Sequence, residues 1–262
     1  MDLEKLTFQV CELAREVARF QRREIANVRD ADIESKGVHN YVTYVDKESE
    51  RILVEKLRLL LPGSGFIAEE SPSLRPSEFT WVVDPLDGTT NFIHGVPIYC
   101  ISIALMHGDD ILLGVIYESN LDECFYTWES APSYLNHKVI RVSETREIGE
   151  SLLATGFPYY DYHALDDYLD IFRHLLKNSR GLRRIGSAAI DLAWVACGRF
   201  DGFYEYGLSP WDVAAGALLV QNAGGKVSDF RGTGQYIFGK QLVATNPFIH
   251  NEFLTLFKSW RG

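Results

Sequence analysis

Between Thr80 and Phe92 the chain reads TWVVDPLDGTTNF. A run of strand type goes straight into two aspartates, a glycine and two threonines. TWVVD is apolar and rich in residues that favour strands. The polar end of such a strand either turns at the surface or furnishes a site, since strand ends in α/β sheets are where sites form. Asp84-Pro85-Leu86-Asp87-Gly88 suits an ordinary β-turn ahead of a helix, with Asp first and Pro second. It does not suit an EF-hand loop, which needs alternating acids. Gly88, Thr89 and Thr90 stand at an expected helix start. Unpaired N–H groups there attract anions, and a glycine admits a phosphate closely.

The surrounding pattern sets this stretch in an alternating fold. Leu3, Leu6, Val10, Leu13, Val17 and Phe20 predict a helix from Leu3 to about Ala26. A second helix is expected over Asp46–Leu61, with Asp46 as N-cap and PGSG as its stop. RDADIESKGVHNY between them reads as a polar connection. GFIAEES, TWVVD, the pair around His107-Gly108-Asp109-Asp110, ECFYTWES and KVIRVS read as strands. The second half alternates. SLLATGF, FDGFYEY, KVSDF and QLVATN are strands; LDDYLDIFRHLLKN, SAAIDLAWVACG and SPWDVAAGALLVQNAGG are helices. A last helix follows Asn246 and Pro247, residues suited to its cap and first turn. The expected class is α/β, with layered sheets and helices. No repeat, linker or low-complexity segment divides the chain, so residues 1–262 are expected to form one domain.

Composition narrows the partners. Acids outnumber Lys and Arg by 36 to 26, a formal charge of -10. That balance argues against nucleic acid and, if the acids cluster, for a cation. Cys11, Cys100, Cys124 and Cys197 form no C-x-x-C pair and have no histidine cluster beside them. They read as small buried hydrophobes in a reducing compartment, neither zinc ligands nor disulfides. The start, MDLEKLTFQV, shows no leader pattern, and no apolar run approaches the roughly 20 residues that span a bilayer. A soluble, cytoplasmic protein without a membrane partner is expected.

Other acids stand at the ends of elements. IAEES supplies Glu69 and Glu70, and SPWD supplies Asp212. Asp212 also completes a capping box with Ser209. Trp211 and the apolar run after it imply a mostly buried helix start, where a carboxylate needs more than a cap. Converging carboxylates must take up protons or bind cations. Oxygen ligands without His or Cys select Mg²⁺ or Mn²⁺. Two such ions beside a helix start suit phosphate-ester hydrolysis.

WVVDPLDGTTNF and WDVAAGALLVQNAGG together resemble the two signatures of the inositol monophosphatase family, within the lithium-sensitive, magnesium-dependent phosphatases. The resemblance runs from the first helix to the last. It implies a layered α/β/α/β/α sandwich, a homodimer and two or three Mg²⁺ per site, with Mn²⁺ the alternative. By position, Glu69, Asp84 and the Leu86 carbonyl match the ligands of the metal that carries the attacking water. Asp84 also bridges to a second metal, held by Asp87 and Asp212. Thr89 and Asp46 match the pair that orients the water. Gly88 and Thr89 match the phosphate-holding amides. Glu205 matches an acid that binds a sugar-alcohol hydroxyl, and Ala188 a backbone contact to the same ring. Asp87 and Asp212 also border the substrate. Lys36 matches a loop lysine near the site, where a plain solvated lysine is the alternative.

Three features depart from the pattern. SKGVHNYVT lacks the acid that several members link to a third metal. TGFPYYD has Pro158 and Tyr159 where some members place serines. SAPSYLNHKVIRVS lacks the usual glycines, although Asn136 tolerates a left-handed turn. The implied activity is Mg²⁺-dependent hydrolysis of inositol monophosphate or a related polyol phosphate. Fructose-1,6-bisphosphate, histidinol phosphate and a nucleotide 3′-phosphate are alternative small-molecule substrates. A regulatory binding protein on a phosphatase scaffold is the alternative from another class.

Overall fold

The computed structural model describes residues 1–28, 33–37, 40–71, 77–158, 162–258 and 260, without the side chains of 35–37 and 40. Helix α1 (Leu3–Glu24) is capped by Asp2, whose carboxylate accepts from Lys5 N at 3.0 Å. Its apolar stripe buries Leu6, Val10, Leu13 and Val17. A hairpin follows, β1 (Glu34–Gly37) and β2 (Asn40–Val42), inside the stretch expected to be a plain connection. Helix α2 (Tyr44–Leu60) begins earlier than expected. Its cap is Thr43, and Asp46 is the reciprocal acid of the capping box.

One sheet takes the strands of the first half in the order β3 (Gly65–Ala68), β4 (Phe79–Asp87), β5 (Cys100–His107), β6 (Asp110–Glu118), β7 (Glu123–Trp128), β8 (Tyr134–Leu135) and β9 (Lys138–Val139). A short helix, α3 (Thr89–Ile93), leaves the end of β4. The second half adds β10 (Leu152–Thr155), α4 (Leu165–Asn178), β11 (Gly181–Arg183), α5 (Ala188–Ala196), β12 (Gly202–Tyr206), α6 (Pro210–Asn222), β13 (Lys226–Ser228), β14 (Gln241–Thr245) and α7 (His250–Leu254). Its sheet runs β11-β10-β12-β14-β13.

Strand alternation decides what each face meets. In β4, Trp81 and Val83 pack with Val10, Leu13, Leu53 and Leu57 of α1 and α2. Val82 faces the other way, into a cluster with Ile190, Leu192, Val213 and Leu219 of α5 and α6. The same cluster holds Ala154, Phe203 and Ala244 of the second sheet. Leu153, Tyr204 and Val243 face outward onto Tyr168 and Ile171 of α4 and Phe253 of α7. The layers are therefore helix, sheet, helix, sheet, helix, the expected α/β/α/β/α order. No helix among the described residues is long and apolar enough to cross a membrane.

Several sequence expectations are corrected. KVIRVS pairs as a strand only at Lys138–Val139, and Val142 N turns instead to the Ala223 carbonyl at 3.2 Å. The last helix does not begin at Pro247. Asn246 Oδ1 accepts from Phe248 N and Ile249 N, so it caps a turn, and α7 starts at His250. The two-residue β8 and three-residue β11 carry too little periodicity to read from sequence. Cys11, Cys100 and Cys124 are buried as expected, while Cys197 is only half-buried. Asn136 adopts the left-handed conformation (φ 46°).

Candidate active site

The aspartates of TWVVDPLDG lie within the strand, where sequence placed a turn beyond its end. In β4, Asp84 pairs with Ser102 and Asp87 with Cys100, so three steps on one strand oppose two on the other. This is a β-bulge. It accommodates Pro85, which has no N–H to give a ladder. Gln21, fully buried on α1, donates to the Pro85 carbonyl at 2.7 Å and pins the bulge from behind. Asp84 Oδ1 accepts from Leu86 N at 2.9 Å. Alternation puts Asp84 on the Val82 face, towards α5 and α6.

Asp212 arrives on that face from the first turn of α6. Carboxylate oxygens of Asp84, Asp87 and Asp212 all lie within 4.8 Å of one another. Asp212 Oδ2 also accepts from Ser209 N at 2.6 Å, so the capping box and the cluster use the same carboxylate. The start of α6 is half-buried, not mostly buried as expected, because it lines a cavity. Asp87 Oδ2 accepts from Ser187 Oγ and Ala189 N, both at 2.7 Å. These donors form the capped start of α5, whose dipole favours the negative charge.

Burial still dominates all three acids. It pushes Asp84 well above the usual carboxylate range, and the charges of Glu69, Asp87 and Asp212 push it further. Asp212 is raised well by burial and by Asp87, and Asp87 is raised by burial against its hydrogen bonds. Glu69 borders the same cavity but lies outside the close trio. Glu70 N donates to Glu50 at 2.8 Å, which fixes the segment carrying Glu69. An all-oxygen trio raised by burial, and at Asp84 and Asp212 also by neighbouring carboxylates, is the donor set that a hard divalent cation relieves. The group therefore fits the residues.

Gly88 (φ 99°) turns the chain from the bulge into α3 in a conformation that favours glycine. Thr89 then places Oγ1 2.9 Å from Asp46 Oδ1 and 3.0 Å from the Leu86 carbonyl. Asp46 is 1% exposed, and its other oxygen accepts from Thr43 N at 2.9 Å and Thr43 Oγ1 at 2.6 Å. Burial raises its pKa, and the Thr43 and Thr89 hydrogen bonds lower it in part.

The cavity, about 200 Å³, extends from the trio to the second sheet. Glu205 of β12 forms its far wall; burial lifts its pKa to about 8, against the nearby Arg184 charge. Ala188 and Gly88 also line the cavity. Lys36 belongs to β1, but its side chain lies outside the described residues, as does Tyr159.

Sequence reasoning missed Asp191, Arg184, Ser187 and Gly156, which line the same cavity. Asp191 is 1% exposed, its Oδ1 has no hydrogen-bond partner, and burial pushes its pKa well up. The signal was present: one acid in the otherwise apolar helix AAIDLAWVA.

The model of the inositol monophosphatase family matches residues 2–259. The chain belongs to the inositol monophosphatase family. It is 40% identical over 248 residues to the Nus factor SuhB of Pseudomonas aeruginosa, covering 92% of each chain. It is 38% identical over 247 residues to an inositol-1-monophosphatase of Mesorhizobium japonicum, covering 94% of this chain and 93% of that one. Among solved structures, the extragenic suppressor protein suhB of Bartonella henselae superposes with a TM-score of 0.92 at 36% identity, covering 98% of this chain and 99% of that one. The Thermotoga maritima IMPase gives 0.88 at 33% identity, with 98% and 97% covered. The family is one of metal-dependent phosphatases, hydrolases of phosphate monoesters.

Proposed function

We propose that this protein is a Mg²⁺-dependent phosphomonoesterase that hydrolyses inositol monophosphate or a related polyol phosphate. One observation carries the reading: the carboxylates of buried Asp84 and half-buried Asp87 and Asp212 lie within 4.8 Å of one another, near the Thr89–Asp46 pair, and line one cavity. Asp84, Asp87, Asp212, Glu69 and the Leu86 carbonyl would hold the cations. Divalent ions there supply an acidified water, Lewis-acid stabilisation of phosphoryl oxygens and compensation for a leaving alkoxide.

The chain's own residues do the rest. The amides of Gly88 and Thr89 hold the phosphate. Thr89 Oγ1, donating to Asp46, keeps its lone pairs free to accept a hydrogen from the attacking water. Asp46, raised by burial, is suited to hold the proton passed through Thr89. Attack on phosphorus breaks the bond to the alcohol oxygen, releasing alcohol and inorganic phosphate. Ala188 and Glu205 contact the alcohol, Glu205 by accepting from a hydroxyl, and the family resemblance adds Lys36 to the substrate-binding residues. Asp87 and Asp212 flank the leaving oxygen.

The family resemblance supports Mn²⁺ as a substitute metal, inhibition by lithium, a homodimer and a cytoplasmic setting for the single domain 1–262. The missing acid in SKGVHNYVT favours two ions over three. The Pseudomonas relative's name, a Nus factor, favours a second reading, a binding role on the same scaffold. The complete carboxylate set favours catalysis. The test is a phosphate-release screen over inositol, sugar and nucleotide phosphates. Chelation with EDTA abolishes release and Mg²⁺ restores it. Full activity in EDTA, or no release from any ester, would refute the reading.

A further inference from the structure

Gly156 follows β10 immediately. On the parallel neighbour β12, Thr155 stands in register with Tyr204. Gly156 and Glu205 are therefore side by side, on the sheet face turned towards α5. A methyl group built on Gly156 would overlap Cδ and both oxygens of Glu205. The carboxylate thus lies flat across the Gly156 α-carbon. The φ angle of Gly156 is outside the left-handed region, so its backbone suits any residue. What the glycine supplies is space.

The opposite face holds this pair in place. Tyr168, fully buried on α4, sets its hydroxyl 2.8 Å from the Gly156 carbonyl and 2.5 Å from Thr155 Oγ1. Thr155 Oγ1 donates to the Tyr204 carbonyl at 2.9 Å. The two hydroxyls therefore tie together the backbone of Gly156 and of the residue before Glu205. The bonds of this network reach both strands at the level of Glu205.

We propose that Gly156 and Tyr168 determine specificity for the alcohol part of the ester: Gly156 leaves the room in which the Glu205 carboxylate lies, and Tyr168 fixes the two strand ends that carry the pair. The proposal rests on Glu205 as the acceptor of a substrate hydroxyl. Esters with a hydroxyl-bearing alcohol depend on this arrangement, whereas aryl phosphates have no hydroxyl to offer it. Gly156→Ala drives the carboxylate aside, and a side-chain end can yield without unfolding the sheet. A displaced carboxylate forfeits a charge-assisted hydrogen bond, worth roughly 10–150-fold.

The experiment measures steady-state kinetics with Mg²⁺ on inositol 1-phosphate and p-nitrophenyl phosphate, for wild type, Gly156→Ala, Tyr168→Phe, Glu205→Gln and the Gly156→Ala/Glu205→Gln double variant. Gly156→Ala should lower the inositol-to-aryl ratio of kcat/KM by about 10-fold or more, chiefly through KM. Tyr168→Phe should lower it less, in the same direction. The double variant should lose little beyond Glu205→Gln, because both act through one contact. Equal losses on the two substrates, or additive losses in the double variant, would overturn the inference. Should Gly156→Ala fail to fold, an unchanged ratio in Tyr168→Phe overturns it. Glu205→Gln with an unchanged ratio removes the Glu205 assignment and this inference with it. A wild type that releases no phosphate from any ester removes the proposed function as well.

Discussion

Asp212 answers to two descriptions, a helix cap and a metal ligand, and Asp212→Asn separates them. An amide oxygen still accepts from Ser209 N, now at 2.6 Å from the carboxylate, so the reciprocal bond of the capping box is kept. The charge is lost. Two unit charges 4.8 Å apart repel by about 3.5 kcal/mol at an effective dielectric near 20. The metal-free trio relieves part of this by taking up protons, so only a fraction is regained on substitution. In EDTA the melting temperature of Asp212→Asn should equal or exceed that of wild type, at roughly 2–4 °C per kcal/mol for a chain of this size. Bound Mg²⁺ should reverse the order. At about 100 times its dissociation constant, an ion that binds only the folded state adds about 2.7 kcal/mol. Asp212→Asn should lose most of that increment. Catalysis draws several kcal/mol from a cation site, at about 1.36 kcal/mol per decade, so kcat should fall by roughly 10²–10⁴. Melts followed by circular dichroism, with EDTA and with saturating Mg²⁺, and phosphate release at fixed substrate read all three quantities. A variant with near-normal kcat, an intact Mg²⁺ increment and a lowered metal-free melting temperature would refute the ligand role and leave the cap.

Three further outcomes are expected. Thr89→Val, which removes the hydroxyl 2.9 Å from Asp46, should lower kcat and kcat/KM together by roughly 10²–10⁴ with KM nearly unchanged; normal turnover in steady-state assays would remove Thr89 from the chemistry. Glu205→Gln should raise KM for an inositol phosphate by roughly 10-fold or more, while an aryl phosphate, with no hydroxyl to offer, is affected less; equal losses would take Glu205 out of recognition. Without metal, Asp84, Asp87, Asp191, Asp212 and Glu205 all keep their protons to higher pH than in the unfolded chain, Glu205 to about 8. Unfolding then releases protons once pH exceeds about 4, so stability in EDTA should fall as pH rises from 5 to 8, and thermal melts that are flat or rising across that window would contradict the burial of these acids.

The longer helices and strands were legible because their apolar patterns run over many residues. LDDYLDIFRHLLKN coincides with α4, and the pair around His107–Asp110 coincides with β5 and β6. The acidic cluster was legible where acids interrupt apolar runs, at Asp84, Asp87 and Asp212. The geometry of DPLDG was not. Turn and bulge use the same Asp and Pro preferences, and only pairing of β4 with β5 on both sides of Pro85 decides for a bulge. Asp46 was legible as a residue of a helix start but misplaced by three positions, because Thr43 and Asp46 are both good caps and the capping box uses both. Gly156 carried no local signal at all. Its requirement comes from Glu205, on a different strand and far along the chain.

The two ends of the cavity belong to different sheets. Asp84 and Asp87 come from β4, in the first sheet, and face the middle helical layer. Glu205 comes from β12, in the second, and faces the same layer from the other side. Between them α5 and α6 present their first turns, with Ser187 and Ala189 on Asp87 and the capping carboxylate of Asp212 inside the trio. The sheet that carries Asp84 and Asp87 is locked by Gln21 against the Pro85 carbonyl. The sheet that carries Glu205 is held separately, by Tyr168 and Thr155. These supports share no residue, so changes in one need not disturb the other. An architecture of this kind lets substitutions around β10 and β12 reshape the Glu205 end of the cavity while the carboxylate trio keeps its spacing. Asp191 is the point where the ends meet electrically. It feels Glu205 and Asp87 together, and its Oδ1 has no hydrogen-bond partner. A charge change at Asp191 should therefore be felt at both ends of the cavity, whereas one at Gln21 or Tyr168 should be felt at one.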